Sequence, residues 1–139
     1  MSLKHKVLII DDDRIVVFLC RSLLEKFGIA GSFSSAANGA IGLDLLRDKL
    51  TNDPESLPDL ILLDLNMPEM NGWEFLDAYE SLRHRFNKRI ALMILSSSID
   101  PHDIERAEQH PLVDAYLHKP LDKDALEFIT GYLSSVDAA

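Results

Sequence analysis

The sequence has few of the residues that mark secreted, membrane or nucleic-acid-binding proteins. It contains a single cysteine, Cys20, which excludes an internal disulfide framework and a multi-cysteine metal site. No apolar stretch approaches the roughly 18 residues that span a bilayer. There are 14 Lys and Arg against 23 Asp and Glu, and the net charge of −9 argues against direct binding of nucleic-acid phosphates. We therefore expect a cytoplasmic protein with no membrane segment and no nucleic-acid partner.

What is present is an alternation of short apolar runs and amphipathic stretches over 139 residues. The pattern predicts strands over residues 7–10, 30–37, 60–63, 90–95 and 113–118. It predicts helices over residues 15–27, 41–50, 72–86 and 125–136, and a helix that begins at Asp100 and Pro101 with an N-cap followed by proline. Such alternation indicates an α/β domain whose parallel sheet is covered by helices on both faces. The turn-rich residues 51–59 are interpreted as an enlarged loop inside this domain.

Polar residues follow the predicted strands. Asp11 and Asp12 come directly after the first strand, Asp64 after the third, Ser96 at the end of the fourth and Lys119 after the fifth. Because the carboxyl ends of parallel strands form the binding edge of such a sheet, these side chains are expected to converge there. Three carboxylates close together repel one another, and a divalent cation with oxygen ligands, Mg²⁺ above all, relieves that repulsion.

The same group of side chains is suited to phosphoryl transfer. A metal ion, the Lys119 ammonium and the Ser96 hydroxyl can neutralise the oxygens of a transferring phosphoryl group. A carboxylate can then act as the nucleophile and form an acyl phosphate.

Simpler interpretations of these residues remain open at this point. Asp11 and Asp12 can be helix caps, and Lys119 can be a surface lysine. Tyr116 can be an ordinary core residue of the last strand. Asp64 is harder to explain in this way, because a carboxylate at the end of a buried strand needs a partner.

Four short motifs resemble the receiver domains of two-component response regulators. They are Ile9-Ile10-Asp11-Asp12-Asp13, Leu62-Leu63-Asp64-Leu65-Asn66-Met67-Pro68 with Asn71-Gly72, Ile94-Leu95-Ser96-Ser97, and Tyr116-Leu117-His118-Lys119-Pro120. The resemblance covers residues 5–136 and leaves no room in this chain for a separate output domain. It implies a flavodoxin-like, doubly wound sheet of five parallel strands in the order 2-1-3-4-5. Five helices then complete a three-layer αβα fold.

The resemblance also implies a role for each matching residue. Asp64 would accept a phosphoryl group from a sensor histidine kinase or a histidine phosphotransfer protein, which makes the chain a signalling phosphoacceptor rather than an enzyme. Mg²⁺, or Mn²⁺ in its place, would be held by Asp11, Asp12, Asp64 and the backbone carbonyl of Asn66.

The remaining roles concern the phosphoryl group and the response to it. Lys119 would pair with the phosphoryl oxygens, and its bond to Pro120 would be cis. Ser96 would bind the phosphoryl group after transfer, and Tyr116 would then turn inward. This switch would reshape the surface of the fourth helix, fifth strand and fifth helix, where an unidentified protein target would bind; the chain would be a monomer or a weak homodimer.

The sequence departs from the family pattern in three places. Ser96 stands where threonine is more common, residues 110–115 lack the glycine usual before the fifth strand, and the loop over residues 51–59 is long. Two other functions are weighed against the phosphoacceptor. A haloacid dehalogenase-type phosphatase would need an acid two residues after Asp64, where this chain has Asn66. A docking module that never uses phosphate would have no need for the complete polar set.

Overall fold

The structure, a computed structural model, describes residues 4–138. Within that range the chain forms strands β1 (His5–Ile10), β2 (Ala30–Ala36), β3 (Leu60–Leu63), β4 (Ala91–Ser96) and β5 (Ala115–His118). The helices are α1 (Arg14–Lys26), α2 (Gly39–Asn52), α3 (Gly72–Arg83), α4 (Pro101–Gln109) and α5 (Lys123–Ala138), with a 3₁₀ turn at Pro54–Ser56. None of the described helices combines the length and apolar character needed to cross a bilayer.

The five strands form one parallel sheet in the order β2-β1-β3-β4-β5, which confirms the predicted architecture. Residues 7–10 of β1 and all of β3 and β4 are buried on both faces, as their apolar sequences require. Val7 and Ile9 of β1 pack in one hydrophobic cluster with side chains of α1 and α5. Leu8 and Ile10, on the opposite face, pack with side chains of α2 and α3. The two layers of helices therefore follow from the alternation of side chains along each strand.

Capping side chains fix where four of the helices begin. The Asp13 carboxylate accepts a hydrogen bond from Ile15 N at 2.9 Å at the start of α1. Asn38 caps α2, Asn71 caps α3 and Asp100 caps α4. Each cap satisfies backbone N–H groups that have no partner within the helix, and so it sets the residue at which the helix begins.

Three segments differ from the sequence-based expectation. Strand β5 begins at Ala115 rather than residue 113, because Val113 N donates to His110 O and forms a turn. Helix α3 ends at Arg83 rather than residue 86, where Phe86 N donates to Arg83 O in a tight turn. Helix α1 forms as predicted, yet several apolar side chains that revealed it point to solvent.

The enlarged connection between α2 and β3 is tied to the rest of the domain. Leu57 is completely buried within it. The Asp59 carboxylate accepts hydrogen bonds from Lys6 N and from the Lys88 ammonium, which lies before β4. The connection is therefore an anchored part of the fold.

Candidate functional site

Three carboxylates meet at the carboxyl end of the sheet. Strands β1 and β3 are neighbours, and Asp64 N donates to Ile10 O at 2.9 Å, which sets the residues after the two strands side by side. Asp11, Asp12 and Asp64 each offer a carboxylate oxygen, and these oxygens lie within 4.8 Å of one another. Asp11 and Asp64 are 3% and 6% exposed, whereas Asp12 is open to solvent. The predicted convergence of these three side chains is present.

Lys119 supplies a cation to this cluster. Its Nζ lies 2.7 Å from Asp11 Oδ2 and 3.4 Å from Asp64 Oδ1. The position follows from the sheet, since β5 pairs with β4 and Lys119 N donates to Ser96 O at 2.8 Å. The peptide bond from Lys119 to Pro120 is cis. Burial works against the charged amine, but the hydrogen bond to Asp11 and the charges of both carboxylates raise the pKa of Lys119, so the side chain stays cationic.

One oxygen of the Asp64 carboxylate has no hydrogen-bond partner in the described chain. Its Oδ1 accepts a hydrogen bond from Leu65 N at 2.9 Å and faces Lys119, while Oδ2 accepts no hydrogen bond from any residue between 4 and 138. Burial and the nearby charge of Asp11 raise the pKa of Asp64, and Lys119 opposes that rise. Three carboxylates thus face one ammonium group. This excess of negative charge in a mostly buried notch fits a divalent cation with oxygen ligands.

Ser96 lies at the end of β4 and is completely buried. Its Oγ accepts a hydrogen bond from Ser98 N at 3.1 Å. Ser98 in turn donates from its hydroxyl to Asp103 Oδ2 of α4 at 2.7 Å, and its carbonyl accepts the Tyr116 hydroxyl at 2.8 Å. Ser96 and Tyr116 therefore contact the same residue of the loop between β4 and α4. Tyr116 is half-buried against a small apolar cluster that includes Ile94 and Ala107.

The start of α3 is held closely against the acidic edge. Gly72 N donates to Leu65 O at 2.9 Å, and a Cβ at Gly72 would lie 2.5 Å from Asp64 O. Only glycine permits this approach of two backbones. The sequence places Gly72 at the start of a predicted helix but gives no sign of this contact, because the contact depends on how α3 docks on β3.

A model of the response regulator receiver domain matches residues 7–129. The chain belongs to this family. Family membership and the order of the sheet confirm the predicted fold and the resemblance drawn from the four motifs. The chain is thus a receiver, a domain type that acts as a phosphate-accepting element of two-component signalling, and a dehalogenase-type phosphatase is not favoured.

Relatives of this receiver span nearly its whole length. A two-component response regulator from Cytophaga hutchinsonii shares 31% identity with a TM-score of 0.87, and the match covers 96% of this chain and 99% of that one. The receiver domain of the histidine kinase CKI1 from Arabidopsis thaliana, solved in complex with Mg²⁺, shares 25% identity with a TM-score of 0.78 over 94% of this chain and 93% of that one.

Among curated proteins, the probable methanogenesis regulatory protein FilR2 of Methanothrix harundinacea is 30% identical over 121 residues, which is 87% of this chain and 76% of FilR2. In seven other curated relatives the matched part is 14–50% of their length. The receiver is thus a part of many longer proteins.

Proposed function

We propose that Asp64 is the phosphoacceptor of this receiver. The observation that carries the proposal is the Asp64 carboxylate itself: Oδ2 has no hydrogen bond in the described chain, and the other oxygen, Oδ1, lies 3.4 Å from the Lys119 ammonium. The donor would be a phosphohistidine of a sensor histidine kinase or of a histidine phosphotransfer protein. Oδ2 forms the new bond to phosphorus as the phosphorus–nitrogen bond breaks, and the bonding electrons return to the imidazole, which takes up a proton from solvent.

Asp11, Asp12 and Asp64, together with the backbone carbonyl of Asn66, are proposed to hold Mg²⁺, with Mn²⁺ as a substitute. The excess of two carboxylates over the Lys119 charge supports this assignment. When bound, the ion supplies charge neutralisation for the phosphoryl oxygens. Lys119, which lies 3.4 Å from Asp64 Oδ1, would contact the same phosphoryl group.

Lys119 and Ser96 are proposed to recognise the phosphoryl group. The ammonium lies 3.4 Å from Asp64 Oδ1, so a phosphoryl group on Asp64 lies within reach of the same cation. The Ser96 hydroxyl accepts a hydrogen bond from Ser98 N, so its own proton is left to donate to that group, and Ser96 is proposed to move toward the phosphoryl group and give up the bond to Ser98. The receiver in this way assists its own phosphorylation and dephosphorylation through bound charges and donors.

Movement of Ser96 is proposed to act on the surface formed by α4, β5 and α5. Ser98 connects Ser96 with Tyr116 and, through Asp103, with the first turn of α4. Loss of the hydrogen bond to Ser96 releases Ser98 and with it the Tyr116 hydroxyl. The inward turn of Tyr116 then alters the surface on which a protein target binds. A relay of the phosphoryl group to a further histidine uses the same site and is the second candidate.

The phosphodonor protein is proposed to dock on α1. Ile15, Phe18 and Leu19 of this helix are 71%, 67% and 51% exposed, which is unusual for large apolar side chains on one short helix. Beside them an apolar groove of about 510 Å³ runs between α1 and Pro120 and reaches Lys119. A partner seated here would place its histidine next to Asp64.

The test of this function is phosphorylation by a small donor. Incubation with acetyl phosphate and Mg²⁺ is expected to add one phosphoryl group, detected as a mass increase by intact-protein mass spectrometry. The increase should be absent in Asp64→Asn and should persist in Asp44→Asn, which changes an exposed carboxylate of α2. An equal increase in Asp64→Asn would show that another residue is the acceptor. Equal binding of the target by wild type and Asp64→Asn would instead support a docking module that does not use phosphate.

A further inference from the structure

A second concave site lies at the opposite end of the sheet from Asp64. It is a cavity of about 730 Å³ between the end of α3 and the segments that precede β4 and β5, and we call it the basic groove. Tyr79, Ile90 and Leu112 form its floor, and Arg83, Lys88 and Arg89 lie at its rim together with the carboxylate of Asp114, which pairs with Arg89. Strand β4 has six residues and separates the two sites by about 20 Å.

The charge of the basic groove contrasts with that of the whole chain. Arg83, Arg85, Lys88 and Arg89 lie within seven residues, and residues 81–99 contain no Asp or Glu, in a protein of net charge −9. Two of these cations have fixed positions, since Lys88 pairs with Asp59 and Arg89 pairs with Asp114 at 3.1 Å. Such a local concentration of positive charge attracts anions that the rest of the surface repels.

The other two cationic side chains of residues 83–89 have no ion-pair partner in the described chain. Arg83 and Arg85 form no ion pair with any residue of the described chain, and both are exposed. Arg83 follows Tyr79 by one helical turn, so the two side chains lie on the same face of α3. The guanidinium of Arg83 thus stands above the floor of the groove with its donors free.

Tyr79 provides a polar group inside the groove. The residue is 3% exposed and its ring stacks on Phe75, with centroids 5.3 Å apart. Its hydroxyl nevertheless forms no hydrogen bond with the part of the protein that the structure describes, although it lines the cavity. The hydroxyl is open to the cavity, so it can donate a hydrogen bond to a group that enters the groove. Burial raises the pKa of Tyr79, which keeps the hydroxyl protonated as a donor.

We propose that the basic groove binds a small organic anion, a phosphate monoester whose apolar or planar body rests on the floor while its phosphate meets Arg83 and the Tyr79 hydroxyl. The volume lies within the range of small-molecule sites, about 300–1,000 Å³. A phosphate monoester carries nearly two negative charges at neutral pH, and its oxygens match the forked donors of an arginine such as Arg83. This site is separate from Asp64 and does not depend on phosphorylation.

The test is a titration of the ¹⁵N-labelled full chain with AMP as a probe, followed by amide chemical shifts. Saturable shifts are expected in residues 83–90 and 112–114. Tyr79→Phe, which keeps the ring and removes the donor, and Arg83→Gln should each weaken binding about tenfold. Arg47→Gln, a change of an exposed arginine on α2, should leave it unchanged.

Titrations with other compounds identify the class of ligand. Adenosine and inorganic phosphate should each bind more weakly than AMP, because each lacks one half of the interaction. If inorganic phosphate bound as tightly as AMP, the groove would be a site for a simple anion. If an acidic peptide bound and AMP did not, the occupant would be a protein segment. Either result overturns the proposal. So does AMP binding that is insensitive to both Tyr79→Phe and Arg83→Gln. Phosphorylation of Asp64 by acetyl phosphate should proceed normally in both variants, which separates this test from that of the proposed function.

Discussion

Removing the charge of Asp64 should make the protein more stable when no divalent cation is present. Asp64→Asn keeps the shape of the side chain and the acceptor for Leu65 N, which lies 2.9 Å from Oδ1. The variant loses a buried negative charge that Asp11 repels. The raised pKa of Asp64 points in the same direction, because it shows that the folded protein disfavours the ionised carboxylate.

The size of the effect follows from the distances. With oxygens within 4.8 Å and an effective dielectric constant of about 20, repulsion between Asp64 and Asp11 is about 3.5 kcal/mol. Asp12 is exposed, so water reduces its contribution to about 1 kcal/mol. Attraction to Lys119 at 3.4 Å is about 5 kcal/mol and nearly cancels both. What remains is the desolvation of a mostly buried carboxylate, partly offset by the Leu65 hydrogen bond, and we expect Asp64→Asn to gain about 1–2 kcal/mol.

The assay is urea unfolding at pH 7 in EDTA, with Asp44→Asn as the control. Asp44 lies on α2, is exposed and pairs with Arg47 at 3.5 Å, so its replacement should change the free energy of unfolding by less than about 0.5 kcal/mol. Added Mg²⁺ should stabilise the wild type more than Asp64→Asn, since binding to the folded state raises stability through mass action. A wild type that is as stable as Asp64→Asn in EDTA would refute the electrostatic reasoning.

Three further predictions concern other parts of the molecule. Phe18→Ala should slow phosphoryl transfer to Asp64 from a histidine kinase but not from acetyl phosphate. Phe128→Ala, which changes an exposed residue of α5, should slow neither reaction. If the two variants slowed transfer from the kinase equally, docking on α1 would be contradicted. Although burial opposes it, hydrogen bonds from Lys6 N and Lys88 lower the pKa of Asp59. Asp59→Asn should therefore cost about 2 kcal/mol at pH 7, and this difference in urea unfolding should vanish as the pH falls from 3.8 through the lower pKa of the folded state. A difference that persists in acid would contradict the assignment. Gly72→Ala should destabilise the fold by about 2 kcal/mol and reduce acetyl phosphate labelling, because its Cβ would meet Asp64 O at 2.5 Å; unchanged melting and labelling would show that α3 can shift freely.

The sequence was sufficient to predict the sheet and the acidic edge for a simple physical reason. Uninterrupted apolar runs such as residues 60–63 must be buried on both faces, and a polar residue directly after such a run has to lie at the edge. Because the strands alternate with helices they are parallel, so the polar residues that follow them all lie at the carboxyl edge of the sheet. The convergence of Asp11, Asp64 and Lys119 therefore follows from the sequence alone.

Other features depend on packing that periodicity does not contain. The apolar spacing of α1 predicted the helix but could not distinguish the side covered by the sheet, where Leu24 lies, from the side where Phe18 remains exposed. In the sequence Tyr79 is spaced from Phe75 and Leu82 like one more side chain on an apolar helix face, and nothing local shows that its hydroxyl opens into a cavity. The end of β5 nearest Val113 was set by a backbone turn rather than by hydrophobicity.

Lys119 lies just beyond an edge strand of the sheet, and this position affects how the protein loses its function when it is partly unfolded. Strand β5 is held by one neighbour, β4, through four residue pairs, and it borders the sheet. Local fraying at this margin would withdraw the ammonium from the carboxylates while the hydrophobic interior stayed intact. Amide hydrogen exchange should accordingly be faster in β5 than in β3, and signalling should be lost under mild stress well before global melting.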